Sequence, residues 1–424
     1  MRCRLFCFLI SFSLVFFSCS KLEDALPTSR NTFIHFYERA SNYSGAVAEP
    51  LTDGFIIVGN LNKSLEFSSI ITRTDLVGKV VWETEIPNST MRSIEVTLGG
   101  YLILGDSIEV NPLAEQVTDI VKAKARIIKM DASGNIAGDF SWNSSVTNVY
   151  FHGNAITLDD AGNVITLGEI DAPNSPTRSF VSAHDPNTLE IIWSQVYGYV
   201  NRDFINSKSV HFTPTQKIIW ASSALDDQSS TKRAYLSVPF ISPNSTFVNG
   251  GLFGQNDDLF YSAEDIQPSG TGFGIIGTFS NIQSQNQNIY FVRTDPSGNI
   301  ISGSEKFFDG ILSVDNTSLV TSTDSETADT GKALVSTKDG GYLLAGTMAT
   351  TTRRGNGGID ILLIRLDPFG NMLWNKIIGG SGDDVPNTVR LTPDDGFLIC
   401  GSSTIGGLSA AMVIKTDKDG NLEN

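Results

Sequence analysis

The chain has 424 residues, 40% of them hydrophobic and 18% charged, with 39 Gly, 15 Pro and only 4 Cys. That composition excludes a disordered polymer, a collagen-like repeat and a disulfide-stapled mini-domain, because apolar material is ample and cysteines are few. A formal charge of −16, from 30 basic and 46 acidic residues without a basic cluster, repels phosphate backbones and argues against a nucleic-acid partner.

The first residues read as a targeting segment. Arg2 and Arg4 precede an apolar run over residues 5–17, which has the length of a signal-peptide core and is too short to span a bilayer. The run ends in Phe16-Phe17-Ser18-Cys19. This resembles the lipobox of bacterial lipoproteins, and the resemblance implies that Cys19 is acylated and anchors the chain to a membrane. An ordinary signal peptide with an incidental cysteine is the alternative. The domain reading is then a signal peptide over 1–18, the lipidated cysteine and a polar tether over 19–30, and one domain over 31–424. Loss of residues 1–18 removes Arg2, Arg4, Cys3 and Cys7, leaving 28 basic against 46 acidic residues, a charge of −18. Cys400, in the run Phe397-Leu398-Ile399-Cys400, then has no partner and reads as a buried small hydrophobe. Ser20-Lys21-Leu22-Glu23-Asp24 is similar to the export signal of surface-exposed lipoproteins of the Bacteroidetes, with Leu22 interrupting the charges. That similarity implies an outer-membrane protein facing outward, the periplasm-facing side being the alternative.

Beyond the tether a short apolar run ending in a small residue recurs. Its copies end at Gly59, Gly105, Gly168, Ser222, Gly277, Gly346 and Gly401, spaced 46 to 69 residues apart. Each is of strand length and is followed by a second apolar run that usually closes on aspartate: Asp75, Asp131, Asp185, Asp295, Asp367 and Asp417. The fourth unit keeps the strand Ala234-Tyr235-Leu236-Ser237-Val238 and lacks the aspartate. Gly-Asn follows most of these aspartates, as in Asp131-Ala132-Ser133-Gly134-Asn135, so the expectation is a hairpin whose carboxylate accepts local N–H groups. A further strand follows, clearest at Val80-Val81-Trp82, Ile191-Ile192-Trp193 and Met372-Leu373-Trp374, and one more precedes each Gly-terminated run, as Thr388-Val389-Arg390-Leu391-Thr392 does.

Seven four-stranded units without helical periodicity predict an all-β, seven-bladed β-propeller. Residues 339–401 resemble the propeller repeats of Bacteroidetes lipoproteins and secreted proteins: Asp339-Gly340-Gly341-Tyr342-Leu343-Leu344-Ala345-Gly346, the turn Asp367-Pro368-Phe369-Gly370-Asn371, then Leu373-Trp374-Asn375-Lys376. The last unit stops at Asn424, where other units begin an outer strand, whereas Phe33-Ile34-His35-Phe36-Tyr37 precedes the first unit as Trp374-Asn375-Lys376-Ile377-Ile378 precedes the last. The N-terminal strand is therefore expected to close the ring by pairing around residues 412–416. Connections on one face are tight, and those on the other are long, over 106–124, 223–233, 279–288, 309–332 and 348–358, which makes the loop-rich face the expected binding surface.

Chemistry-bearing motifs are sparse. Asp417-Lys418-Asp419-Gly420 is half of a calcium loop and reads as a turn. His35, His152, His184 and His211 lie in different units without metal-ligand spacing, and the chain has neither a Gly-rich phosphate loop nor a Gly-x-Ser-x-Gly elbow. No metal and no cofactor is expected. Acidic residues recur between units at Asp203, Asp257, Asp258, Asp383 and Asp384. They are candidates for the binding face, and their repetition favours backbone N–H groups as their partners. Two function classes follow: a membrane-anchored monomer that binds a glycan, peptide or partner protein, or a glycan hydrolase or lyase with carboxylates at the channel. Carboxyl groups converging at the channel mouth from non-repeated positions would favour the enzyme.

Overall fold

The computed structural model describes residues 32–64, 66–110, 120–142, 149–198, 202–205, 207–213, 217–226, 233–241, 248–253, 259–270, 272–281, 287–310, 312–314, 328–349 and 357–422. The recurrent apolar runs of the units are strands, and seven antiparallel sheets follow one another along the described residues. Blades 1, 2, 3 and 6, over residues 42–87, 89–141, 150–197 and 330–378, are plain four-stranded meanders. Blade 4, over 202–253, has six strands because its two inner strands are broken, between Ile205 and Val210 and at Ala221. Blade 5, over 259–314, carries an extra edge strand, Leu312–Val314. Blade 7 combines residues 384–416 with the N-terminal strand Phe33–Tyr37.

Packing shows why the sheets form a ring. A sheet is apolar on both faces only when other sheets cover both, and each cluster of buried side chains here bridges two successive blades. Val47, Val58, Ile94 and Ile103 join blades 1 and 2, whereas Leu104, Ile127, Ile156 and Phe180 join blades 2 and 3. The series continues through blades 3 and 4, 4 and 5, 5 and 6 and 6 and 7. It ends where Phe55 and Ile57 of blade 1 meet Leu398, Cys400 and Val413 of blade 7, with Phe33 and Tyr37 packed against them. Cys400 is fully buried, and burial pushes its thiol up to about 12, as expected of a small hydrophobe.

The N-terminal strand pairs antiparallel with Leu408–Thr416, from Phe33 opposite Lys415 to Tyr37 opposite Ala411, as expected. It also reproduces the side-chain contacts of an ordinary outer strand. In blade 1, Trp82 lies on the turn glycine Gly134 of blade 2, and Thr84 Oγ1 donates to the Gly134 carbonyl at 2.8 Å. A Cβ on Gly134 would sit 2.8 Å from the Trp82 ring, and its φ of 86° also favours glycine. His35 and Tyr37 take the two equivalent places over Gly78 of blade 1, with Tyr37 Oη donating to the Gly78 carbonyl at 2.9 Å.

The turn aspartates act as expected. Asp131 Oδ1 accepts the N–H groups of Ser133 and Asn135, both at 2.9 Å, and Oδ2 accepts the Asn135 amide, which together hold its carboxyl below the usual range. Asp417 forms the same turn with Asp419 and Asn421 and so spends its oxygens on the turn itself. The long connections are shorter than the sequence suggested, because the hairpins extend into them. The strands Gly100–Val110 and Ile120–Asp131 pair as far as Val110 opposite Ile120, and Tyr342–Ala349 and Ile359–Leu366 pair to Ala349 opposite Ile359. The tips of these connections lie outside the described residues.

Removal of the N-terminal strand leaves an open sheet edge and uncovers the apolar seam between blades 7 and 1. A chain beginning at residue 41 should therefore unfold at much lower temperature than one beginning at residue 29, with about 2 kcal/mol lost for each of Phe33 and Tyr37. Calorimetry of the two chains checks this, and equal melting temperatures would refute the role of the strand in closure.

Candidate functional site

The innermost strand of each blade is an edge strand, so its outward N–H groups need partners from the neighbouring blade. The residue after the recurrent strand-end glycine supplies one. Asn60 Oδ1 accepts the Met91 N–H at 2.9 Å, Asp106 Oδ1 that of Gly153 at 2.8 Å, and Thr278 Oγ1 that of Gly331 at 3.2 Å. At this level six inner strands carry a bulge, which leaves Ala46, Arg92, Asn154, Glu264, Lys332 and Asn387 as the extra residues. In blade 4 Lys208 falls in the break of the inner strand. The bulges turn these side chains to the axis. Three residues further along the strands come Glu49, Glu95, Thr157, His211, Gln267 and Arg390, and between the two levels lie small residues such as Ser93, Ala155 and Ser209.

These levels enclose a cavity of about 350 Å³ to which all seven blades contribute. A second cavity of about 430 Å³ shares Lys208, Asn387 and Thr388 with the first and adds Arg92, Asn154 and Glu169. Together they form the central channel. At the level nearer the tight turns, Arg390 Nε donates to Glu49 Oε1 at 2.6 Å. Glu95, on the next blade, is pushed up to about 7 by burial and by the Glu49 charge, against the pull of Arg390. Burial lowers His211, whose Nε2 lies 2.6 Å from the Ile266 carbonyl. Asp265 is occupied: Oδ2 accepts the Leu334 N–H at 3.0 Å and Oδ1 faces the Gln267 amide at 3.4 Å.

The bulge level differs in charge. Lys208 is ion-paired with Glu264, and Lys332 stands beside both. Arg92 Nη2 meets Asp106 Oδ2 at 2.8 Å, and His152 Nδ1 meets the same oxygen at 2.9 Å. Hydrogen bonds to Asp106 and Asp171 raise His152 to about 9, so this imidazole is charged at neutral pH and serves to compensate the buried Asp106.

Two of the sequence candidates, Asp383 and Asp384, serve the backbone. Asp383 Oδ1 accepts the Ile359 N–H at 3.0 Å, and the buried Asp384 accepts the Gly380 N–H at 2.7 Å through Oδ2. Both carboxylates thus hold backbone between blades 6 and 7. Asp203 lies on the strand Arg202–Ile205, opposite Leu225, and Asp257 and Asp258 lie outside the described residues. Among the described residues no group of three or more His, Cys, Asp or Glu could hold a metal ion, and no helix is long and apolar enough to cross a membrane. Sequence reasoning passed over Glu49, Glu95, Lys332 and Arg390 because they sit on inner strands and not in loops. The signal that could have found them is variation: at the bulge and three residues beyond it the units differ, whereas the strand-end glycines repeat.

No protein-family model matches the chain, and no curated protein matches it in sequence. Solved structures do match its fold. A protein of unknown function from Dyadobacter fermentans superposes with a TM-score of 0.50 at 9% identity, over 92% of this chain and 99% of that one. The periplasmic gluconolactonase PpgL of Pseudomonas aeruginosa gives 0.46 at 12% identity, over 78% and 84%. BamB from Moraxella catarrhalis gives 0.39 at 8% identity, over 87% and 96%. These likenesses are of fold.

Glu95 makes stability depend on pH. The folded chain keeps its proton to about pH 7, whereas the ordinary carboxyl value is 4.5. Between those values the folded state binds more protons than the unfolded state, so this group lowers stability as pH rises through that window. Glu95→Gln should remove that part of the slope, leaving the variant more stable than the parent at pH 8 and no more stable at pH 4.5. Denaturant unfolding at the two pH values measures it, and parallel profiles would refute the shift.

Proposed function

We infer that the protein is a lipid-anchored, extracytoplasmic propeller of the outer membrane that binds a ligand, most simply a glycan, at its central channel. The observation that carries the binding reading is the channel wall. A rigid ring of seven blades presents side chains that differ from blade to blade, mostly polar at both levels and enclosing a volume within the range of small-molecule sites, roughly 300–1,000 Å³. Peptide segments and partner proteins would engage the same mouth. The anchor rests on the apolar run that ends at Cys19, and outward display rests on Lys21, Glu23 and Asp24.

Cleavage is the second reading, and one observation favours it. Glu49 and Glu95 converge on the channel at a level where the other blades carry no carboxylate. They differ in protonation, since Glu49 is paired with Arg390 while Glu95 holds its proton to about pH 7, the division of roles that glycoside cleavage uses. Two features favour binding over cleavage. The pair stands side by side on adjacent blades, on one wall of the channel, and the Glu49 carboxylate is engaged by a guanidinium.

Cys19→Ala should move the protein from the detergent phase to the aqueous phase, and unchanged partition would refute the anchor. External protease added to intact cells should remove the displayed protein; protection until the outer membrane is permeabilised would place it in the periplasm. A glycan panel tests binding, and reducing-end release tests cleavage. Binding without release fits the module. Release that Glu95→Gln abolishes would establish the enzyme.

A further inference from the structure

The bulge level of the channel holds a charge without a counterpart. Lys208 and Lys332 flank a single carboxylate, Glu264, and Lys208 is the one ion-paired with it. Lys332 has no hydrogen-bond or ion-pair partner among the described residues, although it lines the cavity with Glu264 and Lys208. The trio carries a formal charge of +1. Burial and the neighbouring Lys208 lower the Lys332 ammonium, against the attraction of Glu264, which is the response of a cation lacking a full counter-charge. Beside it, Thr388 Oγ1 is buried with no partner and lines the same cavity. One residual positive charge suits a monoanion better than a dianion, and a hydroxyl without a partner suits a ligand that hydrogen-bonds as well.

The rest of the cavity says what else that ligand carries. Past the middle level the wall carries Glu49 paired with Arg390, and beside them Glu95 and the free oxygen of Glu49 stand as hydrogen-bond groups. Acceptors of this kind meet hydroxyl groups. A fatty acid would leave them unpaired, at a cost of about 1–3 kcal/mol for each buried group. We propose that Lys332, with Lys208 behind it, forms a carboxylate subsite, and that the channel takes an acidic sugar of the uronate type, its carboxylate at Lys332 and its hydroxyls toward Glu49 and Glu95. This rests on the glycan reading above and names its substrate class. The carboxylate completes the charge of the trio.

Calorimetric titration of the purified full-length protein with D-galacturonate, D-galactose and acetate tests the site. Galacturonate should bind at least tenfold more tightly than galactose, and acetate alone should bind weakly, because it lacks the hydroxyls. Lys332→Met should erase the preference while Lys332→Arg, which keeps the charge, retains it, so that loss through misfolding is separated from loss of the ammonium. Galacturonate should also protect Lys332 from an amine-directed acylating reagent. Equal affinity for the two sugars, or a preference that survives Lys332→Met, overturns the carboxylate site and leaves the glycan reading standing. Failure of both sugars and of every member of a glycan panel to bind removes both.

Discussion

Five residue pairs between Phe33–Tyr37 and Leu408–Thr416 hold the first and last described strands in one sheet, and the closed ring around the channel depends on them. A stack of twisted sheets has two open faces, and each face here is apolar. Closing the stack into a ring covers both without a lid, but it leaves one seam that no hairpin spans. The chain solves this by placing the strand Phe33–Tyr37 where its last blade lacks one. His35 and Tyr37 then repeat the contacts that Trp82 and Thr84 make one blade further on, so the seam is chemically an ordinary blade interface. A hydrophobic seam alone would permit sliding; the strand pairing fixes the register.

The same closure explains the inner bulges. Seven strands that run beside one axis are crowded, and each presents an unpaired edge to its neighbour. In six of them one extra residue bends the edge, and in three of these a backbone N–H beside the bulge meets a side-chain acceptor on the preceding blade. Asn60, Asp106 and Thr278 differ in charge but perform this one task. Asp106 performs it as a buried carboxylate, and that choice requires His152 and Arg92 as counter-charges. A local need for backbone satisfaction therefore places cations at the channel, before any ligand is considered.

Much of the ring could be read from the residues, because its parts repeat. Glycine after an apolar run, aspartate before a Gly-Asn turn and tryptophan on the outer strand each answer a steric or hydrogen-bonding need that recurs from blade to blade. The closing strand was legible for the same reason, since Phe33–Tyr37 repeats the pattern of an outer strand. Loop lengths were overestimated because polar residues such as Asp106, Ser107 and Lys124 resemble loop in composition, whereas backbone pairing carries the hairpin on through them. Asp383 and Asp384 drew attention as paired carboxylates, yet pairing in sequence says nothing of which N–H groups lie opposite. The channel residues were illegible for a different reason. A bulge shifts the two-residue period by one, so Lys332 and Arg390 fall on the axis only once the bulge is known.

That difference gives repeat folds an internal control that a single-copy fold lacks. Seven blades offer seven versions of each position, and the positions fixed by the fold reveal themselves by uniformity. The strand-end glycine is present in six units out of seven, because almost any side chain there would strike the neighbouring backbone, as a Cβ on Gly105 would meet the Thr90 carbonyl oxygen at 2.2 Å. Three residues beyond the bulge the seven units carry two glutamates, a threonine, a histidine, a glutamine, a valine and an arginine. Packing alone asks for no such variety, since each occupies the same place in the same ring. Where equivalent positions diverge and most of the divergent groups remain polar, their identities are not set by the packing of the sheets that surround them.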